Sequence, residues 1–249
     1  MKEMYPILLF PNKDYLTTVL LKSIEFMGKA RDQNNVIITG ATGMVGEGVL
    51  MQCLNSPEID TVLVINRKPC GYSHPKLKEI IHPDFFDFSP IENQLSGYNA
   101  CFFCLGITSV GVDNDTYYKM TYTLTMHVAE TLSKLNEGMT FCYVSGGGTN
   151  ESGRLKWAQV KGKTEHDLMR LPFGQVFNFR PGFIKPLPKQ KYAHKFYKYI
   201  NWLFPIGRAV YPGGFCTMAE LGNAMINTLS HNGERRILEG KDIIALSKK

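Results

Sequence analysis

Val36-Ile-Ile-Thr-Gly40-Ala-Thr-Gly43-Met-Val-Gly46 is a short apolar run that leads directly into a turn with three spaced glycines. The run predicts a buried strand, and the residues after the turn predict a helix over Val45–Leu54. Gly40 permits the tight turn, Gly43 lets the backbone approach a pyrophosphate, and Gly46 lets the helix pack closely on the strand. Strand, glycine turn and helix in this order predict a dinucleotide-binding βα unit whose helix N-terminus faces the phosphates. The residues predicted to contact the cofactor here are Gly40, Thr42, Gly43, Met44, Val45 and Gly46.

Strand and helix patterns alternate along the rest of the chain, which is typical of βαβ units. This alternation predicts an α/β, Rossmann-type, doubly wound and mostly parallel sheet with a small helical C-terminal cap. The predicted strands are Asn35–Thr39, Thr61–Asn66, Leu77–His82, Ala100–Leu105, Thr140–Ser145 and Gln175–Arg180. Further helices are predicted over Tyr117–Leu135, Trp157–Leu171, Tyr192–Phe204 and Thr217–Leu229.

The chain is predicted to hold one domain, residues 35–249, whose cap begins near residue 183. Residues 1–34 precede the alternating pattern and are predicted to be a partly helical extension, because Leu16, Leu20, Ile24 and Met27 recur at helical spacing. A loosely held extension and a translated leader with its working start at Met27 are the alternatives.

The composition is that of a globular protein, with 249 residues, 44% hydrophobic and 20% charged. No apolar run approaches the length of a membrane-spanning helix. The opening MKEMYPILLF lacks the long apolar stretch of a secretory signal. Six cysteines without paired spacing suggest a reducing compartment. These features together predict a cytoplasmic protein.

Positive charge is concentrated in residues 154–198, where eleven Lys and Arg face only Glu165 and Asp167. Such a field attracts an anionic ligand or a membrane surface, although a solvated cationic face is an equally ordinary explanation. The helix predicted over Tyr192–Phe204 combines an apolar stripe with lysines, which favours a core cover or substrate lid. Weak peripheral membrane contact and self-association are the alternatives. No basic aromatic platform or helix-turn-helix pattern is visible, so no nucleic-acid partner is predicted.

Cofactor preference is suggested by the end of the second strand, Asn66-Arg67-Lys68. An acidic residue here would favour NAD, whereas Asn66 does not repel a 2′-phosphate, and Arg67 with Lys68 can clamp one. NADP(H) is therefore preferred over NAD(H). Later loops at the same sheet edge add predicted cofactor contacts from Asp84, Phe85, Cys104, Leu105 and Gly106, with a loop-capping role for Asp84 as the alternative.

A metal or redox centre is not predicted. Cys101 and Cys104 lie three residues apart on a strand, so their sulfurs point to opposite faces. The six histidines are scattered without ligand spacing.

Taken together, the motifs resemble the atypical branch of the short-chain dehydrogenase/reductase superfamily, and most closely its Tat-interacting-protein-like oxidoreductases. The resemblance runs from about Asn35 to Lys249 and implies a Rossmann fold, NADP(H) binding and oxidoreductase activity. The motifs that carry it are TGATGMVG (39–46), NRKP (66–69), FFCLGIT (102–108), YVSGGGT (143–149), VKGKTE (160–165), FRPGF (179–183) and RRILEGKDI (235–243).

The resemblance also implies a catalytic Ser, Tyr and Lys, of which the chain retains two. Ser145 matches the Ser that fixes the substrate oxygen, and Lys161 matches the Lys that holds the nicotinamide ribose, but Trp157 stands at the Tyr position. An indole donates a hydrogen bond and does not titrate in the useful range. The substitute proton donors considered are Tyr143, Tyr117, Tyr118 and a water relay. The loop Pro181, Gly182 and Phe183 is expected to border the nicotinamide.

Two functions follow from this pattern. The first is an NADP(H)-dependent oxidoreductase that acts on a small carbonyl or alcohol. The second, motivated by Trp157, is a regulatory or scaffold protein that binds NADP(H) without chemistry. Sugar-nucleotide epimerisation is a third, although it normally needs the missing Tyr.

Overall fold

The computed structural model describes residues 33–193, 204–231 and 236–249 of the chain. Residues 34–249 form one compact unit. The helix predicted within the first 34 residues therefore lies almost wholly outside the described residues, as does most of the helix predicted over Tyr192–Phe204.

A seven-stranded sheet forms the centre of the unit, and every strand pair in it is parallel. The strand order is β3-β2-β1-β4-β5-β6-β9. Two further strands, β7 and β8, form a separate parallel pair. The strands are β1 (Asn35–Thr39), β2 (Thr61–Asn66), β3 (Leu77–Ile81), β4 (Ala100–Phe103), β5 (Thr140–Val144), β6 (Gln175–Arg180), β7 (Phe183–Lys185), β8 (Phe215–Thr217) and β9 (Ile237–Glu239).

Helices connect these strands and continue beyond them. The predicted helix Tyr117–Leu135 begins earlier, at Asn114, because the Asp113 side chain caps it by accepting from the Thr116 N–H at 2.9 Å. A π-helical turn at Lys119–Thr123 then divides it. The helices are α1 (Met44–Asn55), α2 (Asn114–Tyr118), α3 (Leu124–Leu135), α4 (Lys156–Leu168), α5 (Phe204–Val210), α6 (Met218–Asn227) and α7 (Gly240–Leu246).

Two apolar cores lie on opposite faces of the sheet. Side chains alternate along each strand, so Val36 and Ile38 join the core under α1, α6 and α7, while Ile37 joins the core under α3 and α4. Because both faces are covered, the central strands are apolar runs throughout, as expected for a parallel sheet. The predicted doubly wound α/β fold is confirmed.

The C-terminal part differs from the predicted cap. Residues after 217 return to the main sheet, because β9 pairs with β6 in the register Asn178↔Ile237 and α6 packs against α1. Three strand residues are too few to give a readable alternating pattern, which is why the last strand was missed. Within the described ranges, no helix is both long and apolar enough to cross a membrane.

Candidate functional site

The glycine turn between β1 and α1 is closed by its own backbone. Gly40 adopts φ +75°, and a Cβ at this residue would lie 2.8 Å from the Cys104 carbonyl oxygen of the neighbouring strand end. The Gly43 N–H donates to the Gly40 carbonyl at 2.9 Å. A Cβ on Gly46 would overlap that same carbonyl and lie 2.9 Å from the Ala41 nitrogen. Both outer glycines are therefore required sterically.

The N-terminus of α1 presents bare backbone at this turn. Gly43 is the N-cap residue and is exposed, and no described side chain makes a capping hydrogen bond there. Thr42, Met44 and Val45 are half-buried around it. The first N–H groups of a helix lack partners within the helix and lie at its positive end, which suits a phosphate. The residues present therefore fit the pyrophosphate of a dinucleotide.

A cavity of about 290 Å³ lies beside the turn. Asp84 contributes to its wall while its carboxylate accepts from the Phe86 N–H at 2.8 Å, so the loop-capping role considered for Asp84 is present. A Cβ on Gly106 would meet no described atom within 4 Å, which leaves this wall open. The cavity is lined by Arg67, Pro83, Asp84, Phe85, Phe86, Leu105, Gly106, Ile107, Met120 and Leu124.

The end of β2 places Arg67 and Lys68 on an exposed loop, with Asn66 buried before them. Asn66 donates through Nδ2 to the Glu79 carboxylate on β3 at 3.0 Å, and its buried Oδ1 has no hydrogen-bond partner among the described residues. The same Glu79 oxygen accepts from the Cys70 N–H at 2.8 Å. Glu79, which sequence reasoning missed, therefore anchors the loop that carries Arg67. Because it lies on another strand, no local pattern could have shown this role.

Ser145 follows β5 at the same edge of the sheet. Its N–H donates to the Phe179 carbonyl at 2.8 Å, and the Gly147 N–H donates to the Pro181 carbonyl at 2.8 Å. These bonds bring the loop after β5 against the loop after β6. The Ser145 hydroxyl lies 3.0 Å from the Thr149 hydroxyl, a partner that sequence reasoning missed. Thr149 follows Ser145 by four positions in the YVSGGGT motif, and this spacing was the available signal.

Lys161 on α4 reaches the same loop. Its Nζ donates to the Ser145 carbonyl at 3.1 Å and to the Val144 carbonyl at 3.4 Å. Burial lowers the pKa of Lys161 from its usual 10.5 to about 8, and the nearby Glu165 carboxylate opposes this shift. The structure therefore brings together Ser145 and Lys161, two of the predicted catalytic residues.

Glu165 lies one turn after Lys161 and is almost completely buried. Its charge is balanced by Arg180 at the end of β6, which donates through Nε to both Glu165 oxygens at 3.0 and 3.1 Å. Arg180 also donates to Glu239 of β9 at 3.1 Å. These carboxylates raise the pKa of Arg180, so it stays charged. The network joins α4, β6 and β9 directly below the Pro181-Gly182 loop.

Trp157 lies one turn before Lys161, at the position where the resemblance places Tyr. A Cβ on Gly148 would lie 3.7 Å from the Trp157 ring, so the indole borders the loop after β5. Because an indole has no useful titration, Trp157 contributes shape and one N–H donor.

None of the three candidate tyrosines lies at the position of Trp157, and their role as proton donors stays a prediction. Tyr143 is 1% exposed and lies below Lys161, whose Nζ is 5.4 Å from its ring centroid. Burial raises the pKa of Tyr143 well above its ordinary value, and burial also raises that of Tyr117. Tyr117 and Tyr118 line a separate cavity of about 470 Å³ between α2 and the outer face of α4. The water relay stays a prediction.

Phe183 is placed in an aromatic cluster with Phe204 and Phe215, at centroid distances of 6.1 and 5.6 Å. A Cβ on Gly182 would overlap the Gly214 carbonyl, so this loop is covered closely by the turn before β8. Cys101 and Cys104 pack toward opposite faces of the sheet. Burial raises the pKa of both thiols, which therefore stay protonated.

No protein-family model matches the chain. Protein HTATIP2 of Rattus norvegicus is 25% identical over 224 residues, covering 86% of this chain and 89% of that protein. "Protein FMP52, mitochondrial" of Eremothecium gossypii is 28% identical over 227 residues, covering 86% of this chain and 97% of that protein. The FMP52 proteins similar to this chain are named as mitochondrial, which contradicts the prediction of a cytoplasmic protein.

Solved structures share the fold at low sequence identity. The ADP-L-glycero-D-manno-heptose-6-epimerase of Helicobacter pylori has a TM-score of 0.60 at 14% identity, covering 87% of this chain and 82% of that one. The Bordetella bronchiseptica enzyme WbmF, solved in complex with NAD+, has a TM-score of 0.59 at 15% identity. The match covers 88% of this chain and 78% of that one.

The glycine turn, the retained Ser and Lys and these sequence relatives agree with one another. These relatives support the resemblance of the chain to the atypical branch of the short-chain dehydrogenase/reductase superfamily and its Tat-interacting-protein-like proteins.

Proposed function

We propose that the protein is an NADP(H)-dependent oxidoreductase that acts on a small carbonyl or alcohol. The observation that carries the proposal is the shared sheet edge, where the bare helix N-terminus at Gly43 follows β1 and the Ser145–Lys161 pair lies at the end of β5, with only β4 between these two strands. Ligands of open α/β sheets bind at such an edge, where the strand order reverses. The similarly folded Bordetella enzyme was solved in complex with NAD+, which supports dinucleotide binding by this fold.

Each part of the cofactor has residues that suit it. The N–H groups of the glycine turn hold the pyrophosphate, and Arg67 with Lys68 binds the 2′-phosphate. The adenosine occupies the cavity walled by Asp84, Phe85, Leu105 and Gly106. The Cys104 carbonyl lies beside Gly40 and leaves no room for a side chain at the turn. Lys161 holds the nicotinamide ribose, and the Pro181-Gly182 loop, with Phe183 behind it, borders the nicotinamide.

The bound cofactor would supply or accept a hydride. Ser145 orients the reacting oxygen of the substrate, and Thr149 fixes the direction of the Ser145 hydroxyl. Lys161, with a pKa near 8, can hold and release a proton close to neutral pH. We assign the proton transfer to Lys161 through a water relay, since Trp157 does not titrate and Tyr143 is buried.

The proposal is tested by following NADPH oxidation across a panel of small aldehydes and ketones. Turnover of any member supports it. Tight NADPH binding without turnover of any substrate would instead favour the non-catalytic NADP(H)-binding protein that Trp157 suggests. Sugar-nucleotide epimerisation is tested on the same preparation with UDP-sugars and bound cofactor.

Arg67→Ala is expected to weaken NADPH binding about tenfold while leaving NADH binding within twofold. The physical reason is the loss of one charge-assisted contact to the 2′-phosphate, which NADH lacks. Calorimetric dissociation constants for both cofactors measure this. Lys78→Ala, which removes an exposed cation from the neighbouring strand, is the control. Equal weakening of both cofactors by Arg67→Ala would contradict the role of Arg67.

A further inference from the structure

Glu47 lies in the first turns of α1, one turn after Gly43, and its side chain is completely buried. A buried carboxylate needs several donors, because leaving it unpaired would cost more than the fold can tolerate. Its Oε1 accepts from the Tyr72 hydroxyl and from the Lys191 N–H, both at 2.5 Å. Its Oε2 accepts from the Tyr192 N–H at 2.8 Å. One side chain therefore joins α1 to two segments that are far apart in sequence.

The first of these segments is the β2 loop, residues 67–72, which carries Arg67 and Lys68. Glu79 holds it at Cys70, and Glu47 holds it at Tyr72. Burial and the Glu47 carboxylate raise the pKa of Tyr72, so its hydroxyl remains a donor. The exposed Arg67 side chain therefore projects from a loop whose backbone is set by two buried or partly buried anchors.

The second segment is the strap, residues 186–192, which follows β7. The Gln190 side chain donates to the Met44 carbonyl at the first residue of α1, at 2.7 Å. Lys191 completes the junction, because its Nζ donates to the Gly71 carbonyl and lies 4.0 Å from the centre of the Tyr72 ring. The strap thus contacts both the start of α1 and the β2 loop.

We propose that Glu47 is a positioning residue that holds the β2 loop and the strap against the start of α1, and thereby sets the preference for a 2′-phosphorylated dinucleotide. The inference rests on the proposed function. Glu47 touches no predicted cofactor atom, and it acts through Tyr72 on the loop that carries Arg67. A purely structural role would change the binding of NADPH and NADH equally, whereas a positioning role changes their ratio.

Tyr72→Phe tests the contact between Glu47 and the β2 loop with the smallest change, because it removes one hydroxyl and keeps the ring that Lys191 covers. We expect the NADPH dissociation constant to rise about fivefold and that of NADH to change less than twofold. Tyr122→Phe is the matched control, since its hydroxyl also donates to a carboxylate, Asp167, at 2.8 Å on the other side of the sheet. The control is expected to leave the NADPH/NADH ratio unchanged.

Glu47→Gln gives a second readout that needs no cofactor. Weakening the contacts to the Lys191 and Tyr192 N–H groups is expected to expose the strap, so trypsin should cleave after Lys189 and Lys191 several times faster than in the wild type. Mass spectrometry of the first fragments identifies these cleavages. An unchanged cofactor ratio in Tyr72→Phe, or unchanged cleavage of the strap in Glu47→Gln, would overturn the inference. Failure of the proposed function is seen separately, as wild-type protein that binds neither cofactor.

Discussion

Gly46→Ala is expected to abolish dinucleotide binding and to destabilise the folded protein by about 3 kcal/mol, which lowers Tm by roughly 6–12 °C. A methyl group at this position overlaps the Gly40 carbonyl, and both groups belong to backbone that no rotamer change can move. The overlap can be removed only if α1 shifts away from the turn. The same shift removes the helix N–H groups from the position where a pyrophosphate would contact them.

Thermal denaturation and calorimetry with NADPH measure the two effects of Gly46→Ala. Gly213→Ala is the matched control, because a Cβ there makes only ordinary contacts, the nearest at 3.8 Å to Lys241. The control should keep both the wild-type Tm and the wild-type affinity. A Gly46→Ala protein with unchanged Tm and unchanged NADPH affinity would show that the turn is not the phosphate site.

Lys161→Met is expected to abolish turnover and weaken cofactor binding while raising Tm by a few degrees at pH 7. Because the pKa of Lys161 is lowered, its charged ammonium group is less stable in the folded protein than in the unfolded chain. Below pH 8 this difference costs the folded state about 3 kcal/mol. Methionine removes this cost and fills similar volume. The lost hydrogen bonds to the Val144 and Ser145 carbonyls offset part of this gain. The free energy of unfolding is therefore expected to increase by about 1–2 kcal/mol.

The pH dependence of this stability difference has a definite sign. Between pH 8 and 10.5 the unfolded chain binds the Lys161 proton and the folded protein does not, so wild-type stability rises with pH across this window. The advantage of Lys161→Met should therefore be largest below pH 8 and shrink toward pH 10.5. Melting curves of both proteins at pH 7 and pH 9.5 measure it. A Tm below that of the wild type at pH 7 would contradict the prediction.

Much of the fold could be predicted because its signals are local. The glycine turn and the strands Asn35–Thr39, Thr61–Asn66 and Gln175–Arg180 have the predicted bounds. The apolar runs of these strands are bounded by turn residues, so their ends could be predicted without knowing which strands or helices they contact. The turns of α4 that carry Trp157 and Lys161 were equally visible, because a four-residue spacing on a helix fixes a common face.

The electrostatic contacts of the site could not be predicted in this way. Glu47 occurs in the helix segment Met44–Asn55 as a single charge among mostly apolar residues, and its donors come from Tyr72 and from the strap more than 140 residues later. Glu79 likewise acts on a loop from the adjacent strand. Such partners become neighbours only through tertiary folding, so hydrophobic periodicity cannot predict them.

The pairing of β6 with β9 has a consequence for how the protein is made. Roughly sixty residues separate the paired positions Asn178 and Ile237, so at 5–20 residues per second β6 waits about 3–12 s on the ribosome before its outer neighbour is synthesised. During that interval its unpaired N–H and C=O groups form an open sheet edge, which is a template for association with other nascent chains. Newly made chains are thus most in need of chaperone protection between the emergence of β6 and that of β9.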